Sequence, residues 1–110
     1  MNAIKIEPTG EITLVEITGK NSEEQNDSIH EYLGGYFEIV RIARDACMLV
    51  DDEGLLKGLM PNIPASTIAR HPMLVGTALI IGTQPGPEGE DFTDAPGWAI
   101  DKLIKKEEQA

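Results

Sequence analysis

The chain has 110 residues, 41% of them hydrophobic and 5% aromatic, and its 19 acidic against 9 basic residues give a net charge of -10. Binding to a nucleic-acid duplex or to an anionic membrane requires positive charge on the protein surface, so the composition disfavours both partners. The carboxylates could instead imitate DNA phosphates toward a nucleic-acid-binding protein. The length predicts one domain, residues 1–110.

The single cysteine, Cys47, excludes an internal disulfide, and its apolar neighbours in ACMLV indicate a buried thiol. The N-terminal MNAIKIEP has the pattern of a strand rather than the basic and apolar regions of a signal peptide. No apolar run approaches the length of a membrane span. We therefore expect a soluble, cytoplasmic protein.

A β-hairpin and a short helix are predicted first. Apolar residues alternate in AIKIEP and in EITLVEI, and the turn signal PTG separates the two runs. The period then changes to that of a helix, which Ser22 and Gln25 begin with a capping box. Gly34 offers a left-handed cap at the end of this helix.

The next elements form a strand meander. YFEIVRIA and ACMLVD predict two strands joined by a tight turn at Arg44-Asp45. After a turn at DDEG, LLKGL predicts a short third strand of the same meander.

Three segments follow before the C-terminal helix. ASTIAR predicts at most two helical turns, and MLVGTALIIG predicts the central strand, in which Gly76 marks a bulge or a close backbone approach. TQPGPEGED is interpreted as a loop, because two prolines and two glycines disfavour regular structure.

The C-terminal helix is predicted to begin at about Asp94, with Thr93 or Asp94 as its cap. Its apolar face comprises Ala99, Ile100, Leu103 and Ile104. The elements together predict an α+β fold, with a mainly antiparallel sheet of about four to six strands and helices on one face.

Three consecutive carboxylates, Asp51, Asp52 and Glu53, raise the question of a metal-binding loop. A calcium loop of the EF-hand type spreads oxygen ligands over about twelve residues and ends on a bidentate glutamate. Here LLKG follows instead, which favours a type I turn with a G1 bulge between two strands. We expect no metal site.

The sequence contains no recognisable catalytic or cofactor motif. His30 and His71 have no cysteine or carboxylate at a spacing typical of a zinc site, and nothing marks a nucleophile. The glycines of VGTALIIG lie inside an apolar run, and neither GxGxxG nor GxxxxGK[ST] occurs. We predict that the protein is not an enzyme and uses no cofactor.

The segment GLMPNIPASTIAR is the candidate ligand site. Two prolines stiffen the backbone around Asn62, Ser66 and Thr67 can cap the following helix, and Arg70 adds positive charge. In the alternative interpretation the segment is structural: Asn62 hydrogen-bonds its own turn and Ser66 is only a cap.

Trp98, the only tryptophan, falls at the border of the apolar face of the C-terminal helix. In one interpretation it covers the edge of the core. In the other it is a self-association contact of a homo-oligomer, because aromatic side chains are enriched at interface centres.

Four segments, IEPTGEI, LGGYFEIV, DDEGLLKGLMPN and VGTALIIG, resemble a family of small domains of unknown function from phages, plasmids and their bacterial hosts. The resemblance covers about residues 4–82, and Met60 stands where the family often has a second proline. The matching residues within the two middle segments are Gly34, Gly35, Tyr36, Glu38, Asp52, Glu53, Gly54, Pro61 and Asn62. The resemblance implies an accessory protein of a mobile element and carries no established activity.

We therefore expect a non-catalytic accessory module that binds a host protein or a small anionic, nucleotide-like ligand. For such a ligand Tyr36 would supply a stacking surface, and Arg41 and Arg70 would supply charge. Asn62 and Ser66 would supply polar contacts. The alternative is an acidic decoy that occupies a nucleic-acid-binding protein.

Overall fold

The computed structural model describes residues 1–87 and 89–104, which form six strands and three helices. They are β1 (Asn2–Ile6), β2 (Ile12–Glu16), α1 (Ser22–Leu33), β3 (Phe37–Ala43), β4 (Ala46–Asp51), α2 (Ile63–Ala69), β5 (Ala78–Gly86), β6 (Gly89–Thr93) and α3 (Gly97–Leu103). The sheet is antiparallel in the order β2-β1-β5-β4-β3, and β6 pairs with the second half of β5. The predicted α+β class, the N-terminal hairpin and the C-terminal helix are confirmed.

Both faces of the sheet are covered, so the expectation of helices on one face is wrong. Leu79 and Ile81 of β5 pack with α1, whereas Ile80 packs in the cluster that contains α2 and α3 residues. All six residues of β4 are buried. The reason is visible in the sequence, because uninterrupted apolar runs such as CMLV and ALIIG are typical of strands buried on both sides.

The N-cap of α1 lies one position before the predicted one. Asn21 is the N-cap and accepts a hydrogen bond from the Glu24 N–H at 2.9 Å, while Glu24 Oε1 accepts one from the Lys20 N–H at 2.8 Å. The cap therefore uses Asn21 and Glu24 rather than Ser22 and Gln25, and the Glu24 carboxylate bonds the residue before the cap instead of the cap itself. Gly34 ends the helix with φ of 91°, as predicted.

The prediction that LLKGL forms a third strand of the meander is wrong. Residues 52–58 form successive turns, in which the Lys57 N–H donates to the Glu53 carbonyl and the Leu59 N–H to the Gly54 carbonyl, each at 3.0 Å. These local bonds satisfy backbone groups that a strand would need for pairing.

TQPGPEGED is also not a loop: its two ends form the β5–β6 hairpin. Beyond Thr83, whose N–H donates to the Asp45 carbonyl at 2.9 Å, β5 pairs only with β6, so its other edge is open. A proline such as Pro85 is tolerated on such an edge, where its missing N–H breaks no ladder bond.

The central strand begins later than predicted, at Ala78 rather than within MLVG. Gly76 precedes the strand with φ of 79°, and a Cβ there would lie 2.7 Å from Leu59 Cδ1. Gly76 therefore lies close to the Leu59 side chain and outside the strand, whereas the prediction was a bulge or a close backbone approach within it.

α3 begins at Gly97, three residues after the predicted start, and its N-cap Pro96 provides no side-chain hydrogen bond. Asp94 does not cap the helix, because its Oδ1 accepts a hydrogen bond from the Asn2 N–H at 2.8 Å. The end of the predicted helix, residues 105–110, lies outside the described residues. Within the described ranges, no helix combines the length and apolar composition needed to cross a membrane.

Candidate functional site

Asp51, the first of the three consecutive carboxylates, is buried and fastens the turn that follows β4. Its Oδ2 accepts a hydrogen bond from Lys57 Nζ at 2.7 Å, and its Oδ1 accepts one from the Glu53 N–H at 2.8 Å. Asp52 and Glu53 are exposed. Across residues 1–87 and 89–104, no three His, Cys, Asp or Glu side chains are grouped as metal ligands.

This ion pair is held in its charged form. Burial alone would raise the pKa of Asp51, but the hydrogen bonds from Lys57 and from the Glu53 amide outweigh it and lower the pKa below 3.8. The hydrogen bond to Asp51 likewise raises the pKa of Lys57.

The same lysine connects the turn to the end of α1. Lys57 Nζ also donates to the Gly34 carbonyl at 3.0 Å, and the Asp52 N–H donates to the Tyr36 carbonyl at 3.1 Å. A Cβ on Gly35 would lie only 3.0 Å from Lys57 Nζ, so glycine permits the approach. Two of the segments in the family resemblance are thus joined by structural contacts.

Asn62 is completely buried, and bonds within the chain occupy its side chain. Nδ2 donates to the carbonyls of Ile6 at 2.9 Å and Gly76 at 2.7 Å, while Oδ1 accepts from the Ala65 N–H at 3.0 Å and caps α2. Both amide protons are therefore committed to the fold. The geometry supports the structural interpretation of Asn62.

Ser66 lies inside α2 and does not cap it, contrary to the prediction. Its Oγ donates to the Asn62 carbonyl at 2.8 Å and accepts from the Leu74 N–H at 2.8 Å. Because the side chain is buried and bonded in both directions, it adds no polar group to a ligand site.

A groove of about 690 Å³ lies between α2, β3 and α3, and we call it the α2–α3 groove. Its apolar lining includes Ile42, Ile68, Ile80 and Leu103. Arg70 lines it at the end of α2, and Trp98 and Lys102 line it from α3. Arg70 and Lys102 are exposed, and neither forms an ion pair with the described residues. The groove thus combines an apolar floor, an indole and two cations without an ion pair among the described residues, and Arg41, which pairs with Glu90, lines it as well.

Trp98 is held in place although it is 45% exposed. Its Nε1 donates to both carboxylate oxygens of Asp45, in the β3–β4 turn, at 3.1 and 3.2 Å. The turn predicted at Arg44-Asp45 therefore fixes the indole, whose exposed part offers a stacking surface within the groove.

Arg70 has a backbone conformation that most residues avoid. Its φ of 54° and ψ of 43° place it in the left-handed region, and it is the only non-glycine residue with positive φ within the described ranges. Glycine is the usual residue at such a helix end because it lacks a Cβ. Arg70 therefore departs from the usual choice of residue at a helix end.

Two of the predicted ligand residues contribute no free group to the groove: Tyr36 does not line it, and Arg41 lines it but is bonded elsewhere. Arg41 Nη1 donates to Thr83 Oγ1 at 3.0 Å and Arg41 also pairs with Glu90, both on the α1 side of the sheet. Alternation along β3 accounts for this, since the side chains of Arg41 and Ile42 point to opposite faces of the sheet, although Arg41 is also among the residues that line the groove. Tyr36 is 75% exposed beside His30, at the end of α1.

Lys102 was not predicted as a site residue. Trp98 and Lys102 are four residues apart on α3, a spacing that places them on the same helix face. This spacing could have identified Lys102 as a site residue from the sequence. The presence of Arg70 in the same groove could not be predicted, because it depends on how α2 and α3 pack against one face of the sheet.

The histidines and the cysteine show no arrangement for acid–base or nucleophilic chemistry. His30 packs against the ring of Phe37, and neither histidine hydrogen-bonds a carboxylate of the described residues. His71 Nδ1 accepts a long bond from the Met73 N–H at 3.4 Å. Burial raises the pKa of the Cys47 thiol to about 11, which suppresses its thiolate.

Comparison with known proteins gives a family but no activity. Neither the curated proteins nor the solved structures contain a match to the chain. The family described as "Domain of unknown function (DUF3846)" matches residues 1–108, so the likeness extends past the predicted limit at residue 82 and includes α3. The chain belongs to the DUF3846 family of domains of unknown function.

Proposed function

We propose that the chain is a non-catalytic binding module whose α2–α3 groove takes a small anionic ligand with a flat ring, of the nucleotide type. The observation that carries the proposal is the grouping of Trp98, Arg70 and Lys102 around one apolar cavity. It acts in the cytoplasm as an accessory protein of a phage, prophage or plasmid, in keeping with the family resemblance.

The charge of the groove supports this ligand class. The chain as a whole carries -10, yet two of the three basic side chains that line the groove, Arg70 and Lys102, are exposed and form no ion pair with the described residues. The third, Arg41, pairs with Glu90. A guanidinium offers a planar pair of donors to phosphate or carboxylate, and an ammonium offers a point charge.

The indole supplies the second element of recognition. Base–aromatic stacking contributes about 1–3 kcal/mol per base. Because Asp45 already holds the Trp98 ring, little side-chain entropy is lost when a ligand stacks on it.

The test is a thermal-shift screen with cyclic and linear nucleotides, with inorganic phosphate as the ring-free anion. A true ligand at a hundred times its Kd stabilises the folded state by about 2.7 kcal/mol. The shift is expected to disappear in Arg70→Ala and Trp98→Ala and to persist in Arg44→Ala, an exposed arginine outside the groove. A screen without any shift, or a shift that Arg70→Ala leaves intact, would overturn the proposal.

A second copy of the chain is a competing occupant of the groove, and self-association through Trp98 stays a prediction. Self-association and ligand binding predict different results: if a second copy occupies the groove, Trp98→Ala lowers the mass measured by light scattering. The same variant leaves the mass unchanged if the groove is a ligand site.

An acidic decoy is the second candidate function, and the exposed side of α1 favours it. Glu23, Asp27 and Glu31 follow one another at four-residue intervals, so their carboxylates form a stripe along the helix. A decoy would displace a labelled duplex from a DNA-binding protein, with an affinity that falls steeply as salt rises. Glu23→Gln combined with Asp27→Asn would weaken that displacement, whereas it would leave nucleotide binding in the groove unchanged.

A further inference from the structure

Large exposed apolar side chains concentrate after β4. Nine such side chains occur among the described residues, and five of them lie between residues 55 and 73: Leu55, Leu56, Met60, Ile63 and Met73. Leu55 and Leu56 are 76% and 87% exposed. Single exposed apolar residues are ordinary, whereas a local concentration of them marks an interaction surface.

Leu55, Leu56 and Met73 line one hollow of about 400 Å³, which we call the leucine hollow. It shares no lining residue with the α2–α3 groove. The flexible thioether of Met73 allows the lining to adapt to a partner side chain. The apolar character of this surface therefore needs an explanation separate from that of the groove.

The two leucines are held in their exposed positions. The Gly54 N–H donates to the Asp51 carbonyl at 3.2 Å, the Gly58 N–H donates to the Leu55 carbonyl at 3.1 Å, and Lys57 is fastened to Asp51. Because the turn is already fixed, a partner that covers the leucines would order little additional chain.

Carboxylates surround the apolar lining. Glu38, Asp52 and Glu53 also line the hollow, all three are exposed, and none forms an ion pair with another described residue. Lys57, the nearby cation, is engaged by Asp51. A second copy of this chain would bring a further charge of -10 to an already acidic rim. The complementary partner has apolar side chains flanked by basic ones.

We propose that the leucine hollow docks a basic amphipathic helix of a partner protein. Apolar side chains three and four residues apart on that helix enter the hollow over Leu55 and Leu56, and its Lys and Arg residues meet Glu38, Asp52 and Glu53. The inference goes beyond the proposed groove ligand, and either can be wrong without the other.

The experiment uses a fluorescent synthetic peptide of about 18 residues, made of leucine and lysine with the leucines on one helix face. Controls are a scrambled peptide of the same composition and a peptide with glutamate in place of lysine. We expect the first peptide to bind best, and its binding to perturb the backbone amide resonances of residues 52–56, 71 and 73–75. Leu55→Ser with Leu56→Ser should weaken it by at least about tenfold.

Leu14→Ser is the matched control, since Leu14 is 45% exposed on β2, outside the hollow. Asp52→Asn with Glu53→Gln should lower the affinity and its salt dependence, whereas Glu23→Gln with Asp27→Asn on α1 should not. Equal binding of the scrambled peptide, or resonance changes confined to α1, would overturn the proposal. So would dimerisation of the free chain that Leu55→Ser and Leu56→Ser abolish, because the occupant would then be a second copy.

Discussion

The segment from Asp51 to Asn62 and the α2–α3 groove use polar side chains in opposite ways. We call the segment from Asp51 to Asn62 the frame. Within it, Asp51 and Asn62 are buried, and their side chains form hydrogen bonds with other groups of the chain. In the groove, Arg70 and Lys102 project from helix ends and stay exposed. Asp51 and Asn62 therefore stabilise the fold, whereas Arg70 and Lys102 are the polar side chains that we propose for the ligand.

Asn62→Ala should have the largest effect and is the strongest challenge to the structural role of the frame. It leaves the Ile6 and Gly76 carbonyls without their partner and removes the cap of α2. We expect a loss of about 3 kcal/mol or more in the free energy of unfolding, measured by urea titration. Asn26→Ala on α1 is the control and should change it little. A loss below about 1 kcal/mol would contradict the role assigned to Asn62.

Asp51→Asn should have a smaller effect that depends on pH. Because the folded protein lowers the pKa of Asp51 below 3.8, its ionised form stabilises the fold above that pH, and the stabilisation is lost as the pH falls through the folded-state value. Wild type should therefore exceed the variant in stability at pH 7, and the difference should shrink below pH 3.8. Asp52→Asn, at an exposed carboxylate, should show no comparable pH dependence. A constant difference at all pH values would refute the ion-pair explanation.

Arg70→Gly tests whether the arginine in the groove is retained for a ligand or for stability. Glycine adopts the left-handed conformation without a Cβ penalty, so we expect the variant to be more stable by about 0.5–1 kcal/mol while losing ligand binding. Arg44→Gly should instead give no gain. Destabilisation by Arg70→Gly would show that the arginine is retained for structure rather than for a ligand.

The smallest expected effect concerns the rate at which the Cys47 thiol is modified. With a thiol pKa of about 11, modification by an aromatic disulfide reagent at pH 8 should be slow in the native protein and fast in urea. Rapid native reaction would mean that the core beside Arg41 opens far more readily than the packing indicates.

Local signals predicted most of the fold. Alternation in AIKI and ITLV, the glycine after Leu33 and the turn at Arg44-Asp45 each determine their element from neighbouring residues, and each is confirmed. LLKGL and TQPGPEGED were misassigned because their composition does not show which hydrogen-bond partners their backbone groups find. The first closes its hydrogen bonds locally, and the second pairs on one edge of β5.

The site was less predictable for the same reason. Arg41 and Arg70 look equivalent in sequence, but strand alternation directs one to Thr83 and helix packing brings the other to Trp98. Asn62 resembled a ligand residue because a short polar side chain between two prolines suits either role. Only its burial distinguishes them.

The groove can be tested most directly by nuclear magnetic resonance, since the chain has one tryptophan and therefore one indole N–H resonance. On titration with the nucleotide that gives the largest thermal shift, that resonance should move together with the backbone amides of Arg70 and Lys102, and Arg70→Ala should abolish the change. Resonance changes confined to Tyr36 and the end of α1, with the indole signal unmoved, would contradict the assignment of the groove as the ligand site.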